Sequence, residues 1–174
     1  MVKRIAVIGN GGGGKTTISR KLGEHHGIPV CHVDSIQYQA GWKYTPVDEC
    51  ERVLNEIADG ESWLIDGFGS RAAIERRLGI ADVVVFVDFP LYQHYWWAAK
   101  RQLGSWRGSR AELPEDCPEF NWKYTRKLTQ VMWEVNRDYI PWFRTLVSEL
   151  PESTMLFHLH SPRQVHAFLA GYQN

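Results

Sequence analysis

The sequence predicts a three-layer α/β sandwich, a five-stranded parallel sheet with helices on both faces. Three observations carry that prediction. Short apolar, β-branched runs recur at 2–8, 30–33, 62–65, 82–87 and 154–158. They are continuous rather than alternating, as strands covered on both faces are. Between them lie stretches with apolar residues at helical spacing, and strands alternating with helices close into a parallel sheet.

The first run ends in Gly9-Asn10-Gly11-Gly12-Gly13-Gly14-Lys15-Thr16, which fits G-x-x-x-x-G-K-[ST]. After it, residues 17–25 place Ile18 and Leu22 on one helical face, so the motif has the strand–loop–helix context it requires. Gly9, Gly11, Gly12, Gly13 and Gly14 permit positive φ and a close approach of backbone N–H groups to phosphate oxygens. The helix that begins there adds a partial positive charge. Lys15 is expected at the β/γ-phosphates, the Thr16 hydroxyl on Mg²⁺, and Thr17 beside it. The chain is therefore expected to be a P-loop NTPase binding ATP and Mg²⁺.

The remaining elements follow in order. Gly27-Ile28-Pro29 turns the chain into the second strand, which ends at Asp34. Residues 46–59 read as a helix with Cys50, Val53, Leu54 and Ile57 on one face, stopped by Gly60. The third strand ends in Asp66-Gly67, and a short helix carries Ile74 and Leu78. The fourth ends at Asp88-Phe89-Pro90. Residues 91–103 form an aromatic helix with Tyr92, Tyr95, Trp96 and Trp97, which either cover a ring of a ligand or serve as core or interface. A Gly/Ser/Arg/Pro-rich segment at 104–119 reads as a short lid. Residues 120–139 are helical along a Trp122, Thr125, Leu128, Met132, Val135 and Tyr139 stripe; Pro141 ends or kinks that helix, and a further helical turn or two reaches toward Leu150. Ser161 caps a last helix with Val165, Phe168 and Leu169 inward. Ligands of such sheets sit at the carboxyl ends of the strands, which groups the loop from Gly9 with Asp34, Asp66 and Asp88.

Composition narrows the classes. The 174 residues form a single domain, 1–174, and 44% apolar content supports a folded core. Twenty basic and twenty acidic residues cancel, so bulk charge gives no strong nucleic-acid signal and leaves only a local patch open. Cys31, Cys50 and Cys117 are few, odd in number and far apart. Neither a disulfide framework nor a zinc site is indicated, and a reducing cytoplasm fits. No apolar run reaches spanning length and the first strand follows Met1 directly, so neither a membrane segment nor a signal peptide is expected. Oligomeric state is left open.

Trp63-Leu64-Ile65-Asp66-Gly67-Phe68-Gly69-Ser70-Arg71 resembles the D-G-[FY]-P-R signature of adenylate kinases with one extra residue. With the P-loop, the chain resembles P-loop kinases of the adenylate-kinase-like group. It is most similar there to small bacterial adenylate-kinase-related or DNA topology modulation proteins of the FlaR type. The matching pieces also include His32-Val33-Asp34, Trp42, Arg77-Leu78, Ala81-Asp82, Asp88-Phe89-Pro90, Lys100-Arg101, Arg107-Gly108, Arg110 and Cys117-Pro118-Glu119. Gly69-Ser70 stands where those kinases carry one proline, which alters the expected nucleoside-monophosphate pocket. The 104–119 segment is short for a lid with its own sheet or zinc site.

The resemblance implies a phosphotransferase with a small-molecule phosphate acceptor. Asp66, ending an apolar strand, is expected to hold Mg²⁺ through water, against the plainer reading of a turn-forming Asp-Gly. Asp66-Gly67-Phe68-Gly69 also fits the D-x-x-G of GTPases, but no N-K-x-D follows. Asp34 faces the acceptor in the resembling kinases, where it would act as base, acceptor ligand or metal-water ligand; the alternative is a strand-end turn residue. Arg71, Arg101, Arg107 and Arg110 are candidates for phosphate and transition-state contacts, each weighed against a solvated surface charge. Between acceptors, a nucleoside or nucleotide follows from the resemblance and a hydroxyl compound from Asp34. The alternative function is a nucleotide-binding regulatory or DNA-associated protein with weak ATPase activity.

Overall fold

A computed structural model of the chain describes residues 2–39, 43–104 and 122–172, with the side chains of 101–104 and 122–124 excepted. Its core is a parallel sheet in the order β2-β5-β1-β6-β7, formed by β1 (Arg4–Gly9), β2 (Val30–His32), β5 (Trp63–Asp66), β6 (Val83–Val87) and β7 (Met155–Leu159). A small antiparallel hairpin of β3 (Tyr38–Gln39) and β4 (Lys43–Tyr44) stands apart from it. The helices are α1 (Lys15–His26), α2 (Val33–Gln37), α3 (Val47–Ala58), α4 (Arg71–Gly79), α5 (Leu91–Gly104), α6 (Trp122–Glu134), α7 (Ile140–Ser148) and α8 (Pro162–Ala170). The five-stranded sandwich expected from the apolar runs is what forms. Among the described residues no helix is long and apolar enough to cross a membrane.

Period-two geometry divides the core. On β1, Ile5 and Val7 join Ile18, Leu22 and Leu169 of α1 and α8, while Ala6 and Ile8 join Leu54, Ile74 and Phe143 of α3, α4 and α7. Both faces are dry, which is why the strands read as unbroken apolar runs. At the start of β1 the Asp82 carboxylate accepts the Lys3 and Arg4 amides at 2.7 and 2.9 Å. In register, Val7 lies opposite Asp66 and Gly9 opposite Val87, so three strands deliver their carboxyl ends to one edge.

Two segments differ from the sequence reading. The second strand stops at His32, and Val33 and Asp34 open a short helix instead of ending the strand. Pro141 does not end the long helix, which goes on toward Leu150 as expected, but the turn before it is altered. A π-helical turn over Val135–Tyr139 precedes it, and the helix continues as α7 to Ser148. Proline has no N–H to give to the carbonyl four residues back and its ring crowds that carbonyl; widening the preceding turn relieves both.

Candidate active site

The P-loop is wedged between the sheet and two helices. Gly12 has φ +73, and a Cβ there would fall 2.7 Å from the His94 carbonyl on α5. A Cβ on Gly13 would lie 2.8 Å from Val87 Cγ1 and 3.1 Å from His94 Cε1. At these two positions the glycines make room for protein, not only for phosphate. Gly14 is different: its φ of +82 is left-handed, and nothing stands within 4 Å of a Cβ there. It is the residue before α1, whose first turn has no side-chain cap, so the amides of that turn face the cavity as an anion cradle.

Lys15 folds back over the loop, its Nζ donating to the Asn10 carbonyl at 2.9 Å and lying 5.8 Å from the centre of the Phe68 ring. Asn10, a variable position of the motif, is almost wholly buried. Its Nδ2 donates to the Met132 carbonyl on α6 at 2.8 Å, and its Oδ1 accepts the Gly11 amide at 2.7 Å. Behind the loop, His94 is fully buried and stacked on Phe89 at 5.4 Å. Burial, reinforced by the charge on Lys15, pushes its imidazole down to about 4, so it is neutral at pH 7. Neither Asn10 nor His94 carries a sequence signal of its role, since each is defined by a partner distant in the chain.

Asp66 ends β5 beside the loop and is nearly buried. Its Oδ2 lies 2.9 Å from His32 Nδ1, on the neighbouring strand. The turn that follows is held from behind by Arg77, wholly enclosed, whose Nη1 donates to the Phe68 carbonyl at 2.7 Å and whose Nη2 donates to the Gly67 carbonyl. Burial lowers that guanidinium to about 10, opposed by the negative charge of Asp66, and it remains a cation at neutral pH. Phe68 is itself clamped against Phe143 and Tyr139, at 5.7 and 5.6 Å between ring centres. Burial and the Asp66 charge hold the Cys31 thiol up at about 11.

These groups open on one cavity of about 1240 Å³. Gly11, Gly12, Gly13, Gly14, Lys15, Thr16, Thr17, Asp34 and Asp66 all line it. Arg20 with Pro162, Val165 and His166 line it too, as do Tyr38 and Tyr44 of the hairpin and Lys127 and Tyr139 from the long helix. Lys127 Nζ sits 4.8 Å above the Tyr44 ring, joining hairpin to helix. Arg71 is not among the lining residues: its guanidinium lies 5.4 Å above Tyr139 and 4.9 Å above Trp142. Of the aromatic helix, Trp97 lines the cavity, whereas Tyr92 and Trp96 are about two-thirds exposed. Trp42, Arg107, Arg110, Cys117 and the lid segment lie outside the described residues, as does the side chain of Arg101.

A second polar cluster stands outside the cavity. Asp88, at the end of β6, accepts from Arg144 Nε and Nη2 and from His158 Nε2, each at 2.9 Å. His160 packs on His158 with ring centres 4.0 Å apart, and ligand atoms of Asp88, His158 and His160, one from each, all lie within 4.8 Å of one another. The carboxylate is already committed to a fork from α7 and a donor from β7, and it fastens those elements to β6.

Similarity to solved structures follows this architecture. A shikimate kinase from Acinetobacter baumannii, solved in complex with shikimate, matches at 15% identity over 100% of this chain and 97% of its own, with a TM-score of 0.63. A shikimate kinase from Bacteroides thetaiotaomicron matches at 16% identity over 99% and 97%, with a TM-score of 0.60. The fold is a P-loop NTPase fold of the shikimate-kinase type. An unliganded sugar kinase from a Janibacter species shares it more loosely, at 14% identity over 98% and 94% with a TM-score of 0.51. No protein-family model matches the chain, and no curated protein is significantly similar to it. The resemblance to FlaR-type proteins therefore stands on the residues quoted for it.

Proposed function

We propose that this chain is an ATP- and Mg²⁺-dependent phosphotransferase acting on a small molecule that presents a hydroxyl, either a nucleoside or nucleotide or another hydroxyl compound. One observation carries the reading: the Lys15 loop, Asp66 and Asp34 line the same cavity, together with Tyr38, Tyr44 and Tyr139. In this reading Lys15 and the loop amides hold the β/γ-phosphates, and Arg20, Pro162 and His166 border the nucleoside end. The hard oxygen donors Thr16 and Asp66 fit Mg²⁺ rather than a softer metal. When bound, that ion would neutralise charge on the phosphates. Asp34 takes the proton of the acceptor hydroxyl as its oxygen bonds to the γ-phosphorus and ADP leaves. The kinase folds that the chain shares agree with this chemistry, and the shikimate and sugar kinases among them favour a hydroxyl acceptor.

The test is ADP production with ATP and Mg²⁺ across nucleosides, nucleoside monophosphates and small polyols, with Lys15→Ala as control. Stimulation by one acceptor, abolished in the variant, establishes the kinase. Slow release that ignores every acceptor replaces it with the nucleotide-binding regulatory reading.

A further inference from the structure

Asp66 is not left to find its own orientation. His32 and Asp66 are register partners on β2 and β5, so their side chains leave the sheet on the same face at its carboxyl edge. The imidazole is mostly shielded and the carboxylate more so, with 19% and 7% of their side chains exposed. A carboxylate only accepts, so the shared proton sits on His32 Nδ1. That contact occupies Oδ2 and leaves Oδ1 with no bond to a described residue, on a side chain that lines the cavity. Arg77 meanwhile holds the backbone of the next two residues by their carbonyls. The backbone and one oxygen are both fixed, and a single oxygen is presented.

We propose that His32 is a positioning residue that fixes the Asp66 carboxylate so that Oδ1 faces the water shell of the Mg²⁺ accompanying ATP. This rests on the phosphotransferase reading. Partners that orient a metal-holding group typically account for 10–100-fold in metal affinity. A freed Asp66 would rotate, and its shielded Oδ2 would lose its donor. His32→Leu removes the donor. His32→Asn keeps one, because an asparagine amide nitrogen reaches close to the place of an imidazole Nδ1.

The experiment measures ATP binding by calorimetry in EDTA and through a Mg²⁺ titration, with thermal melts confirming that each variant is folded. The expected result is an unchanged ATP affinity in EDTA for His32→Leu. Its Mg²⁺ midpoint should rise about tenfold or more, while His32→Asn stays within about threefold of wild type. Steady-state kinetics should show the same shift in the Mg²⁺ requirement. An unchanged midpoint in His32→Leu overturns the proposal while leaving the kinase intact. So does an equal loss of affinity with and without the ion, which marks a merely structural role. Wild-type affinity indifferent to Mg²⁺, together with turnover indifferent to every acceptor, overturns both.

Discussion

Asn10 reaches across 122 residues of sequence to give its side-chain amide to the Met132 carbonyl. A position that the P-loop pattern leaves open thereby ties the phosphate loop to the long helix lining the same cavity. Asn10→Ala would remove the donor to that helix carbonyl and leave the Gly11 amide without its side-chain acceptor. The expected loss is about 1–3 kcal/mol of stability, read by chemical denaturation, with weaker ATP binding read by calorimetry.

The loop glycines separate into two kinds, and substitution distinguishes them. Gly13→Ala drives a methyl against Val87 and His94, and overpacking of this sort costs about 1–3 kcal/mol. Gly14→Ala meets no neighbour but must hold a left-handed φ, at about 1–2 kcal/mol. Gly13→Ala should therefore move β6 and α5, visible as altered amide exchange there. Gly14→Ala should confine its effect to the loop.

His94 gives the protein an acid sensitivity of its own. Its folded pKa of about 4 lies below the ordinary value near 6.5, so the unfolded chain takes up the proton first. Its contribution is complete above about pH 6.5 and declines as pH falls toward 4, by about 3 kcal/mol in all. His94→Gln should flatten the stability profile across that window in urea melts taken from pH 7 to pH 4.

Asp88 titrates lower. Burial opposes its charge, but the bonds from Arg144 and His158 outweigh that and hold the carboxyl below its usual range. The stabilisation is therefore present above about pH 4, where the unfolded carboxyl ionises, and is lost as pH falls through the lower folded value. Asp88→Asn should cost about 2 kcal/mol at pH 7 and blunt the acid limb below pH 4.

Much of the fold was legible because it is written in local runs. The five apolar strands, the glycine loop and the carboxyl-edge position of Asp66 follow from period and spacing alone. The stretch from Val33 to Tyr44 was not, because a five-residue helix and two-residue strands are too short to show a period. Asn10, His32, His94 and Arg77 escaped as site residues for another reason: their partners are Met132, Asp66, the glycine loop, and the Gly67 and Phe68 carbonyls. Arg71 shows the converse. It was a candidate for phosphate contacts, and Tyr139 and Trp142, about seventy residues later, offer their faces to its guanidinium.

The π-helical turn ahead of Pro141 sets an angular phase. A helix advances about 100° per residue, so one residue more or fewer upstream turns everything beyond it by that amount. Leu128 and Met132 before the turn look into the cavity, while Phe143 after it looks into the core and Arg144 toward Asp88. Removing a single residue between Val135 and Tyr139 would leave both halves helical, yet swing Phe143 off the sheet and Arg144 off its carboxylate. The widened turn works as a rotary offset, letting one helix serve the cavity with one face and the sheet with another.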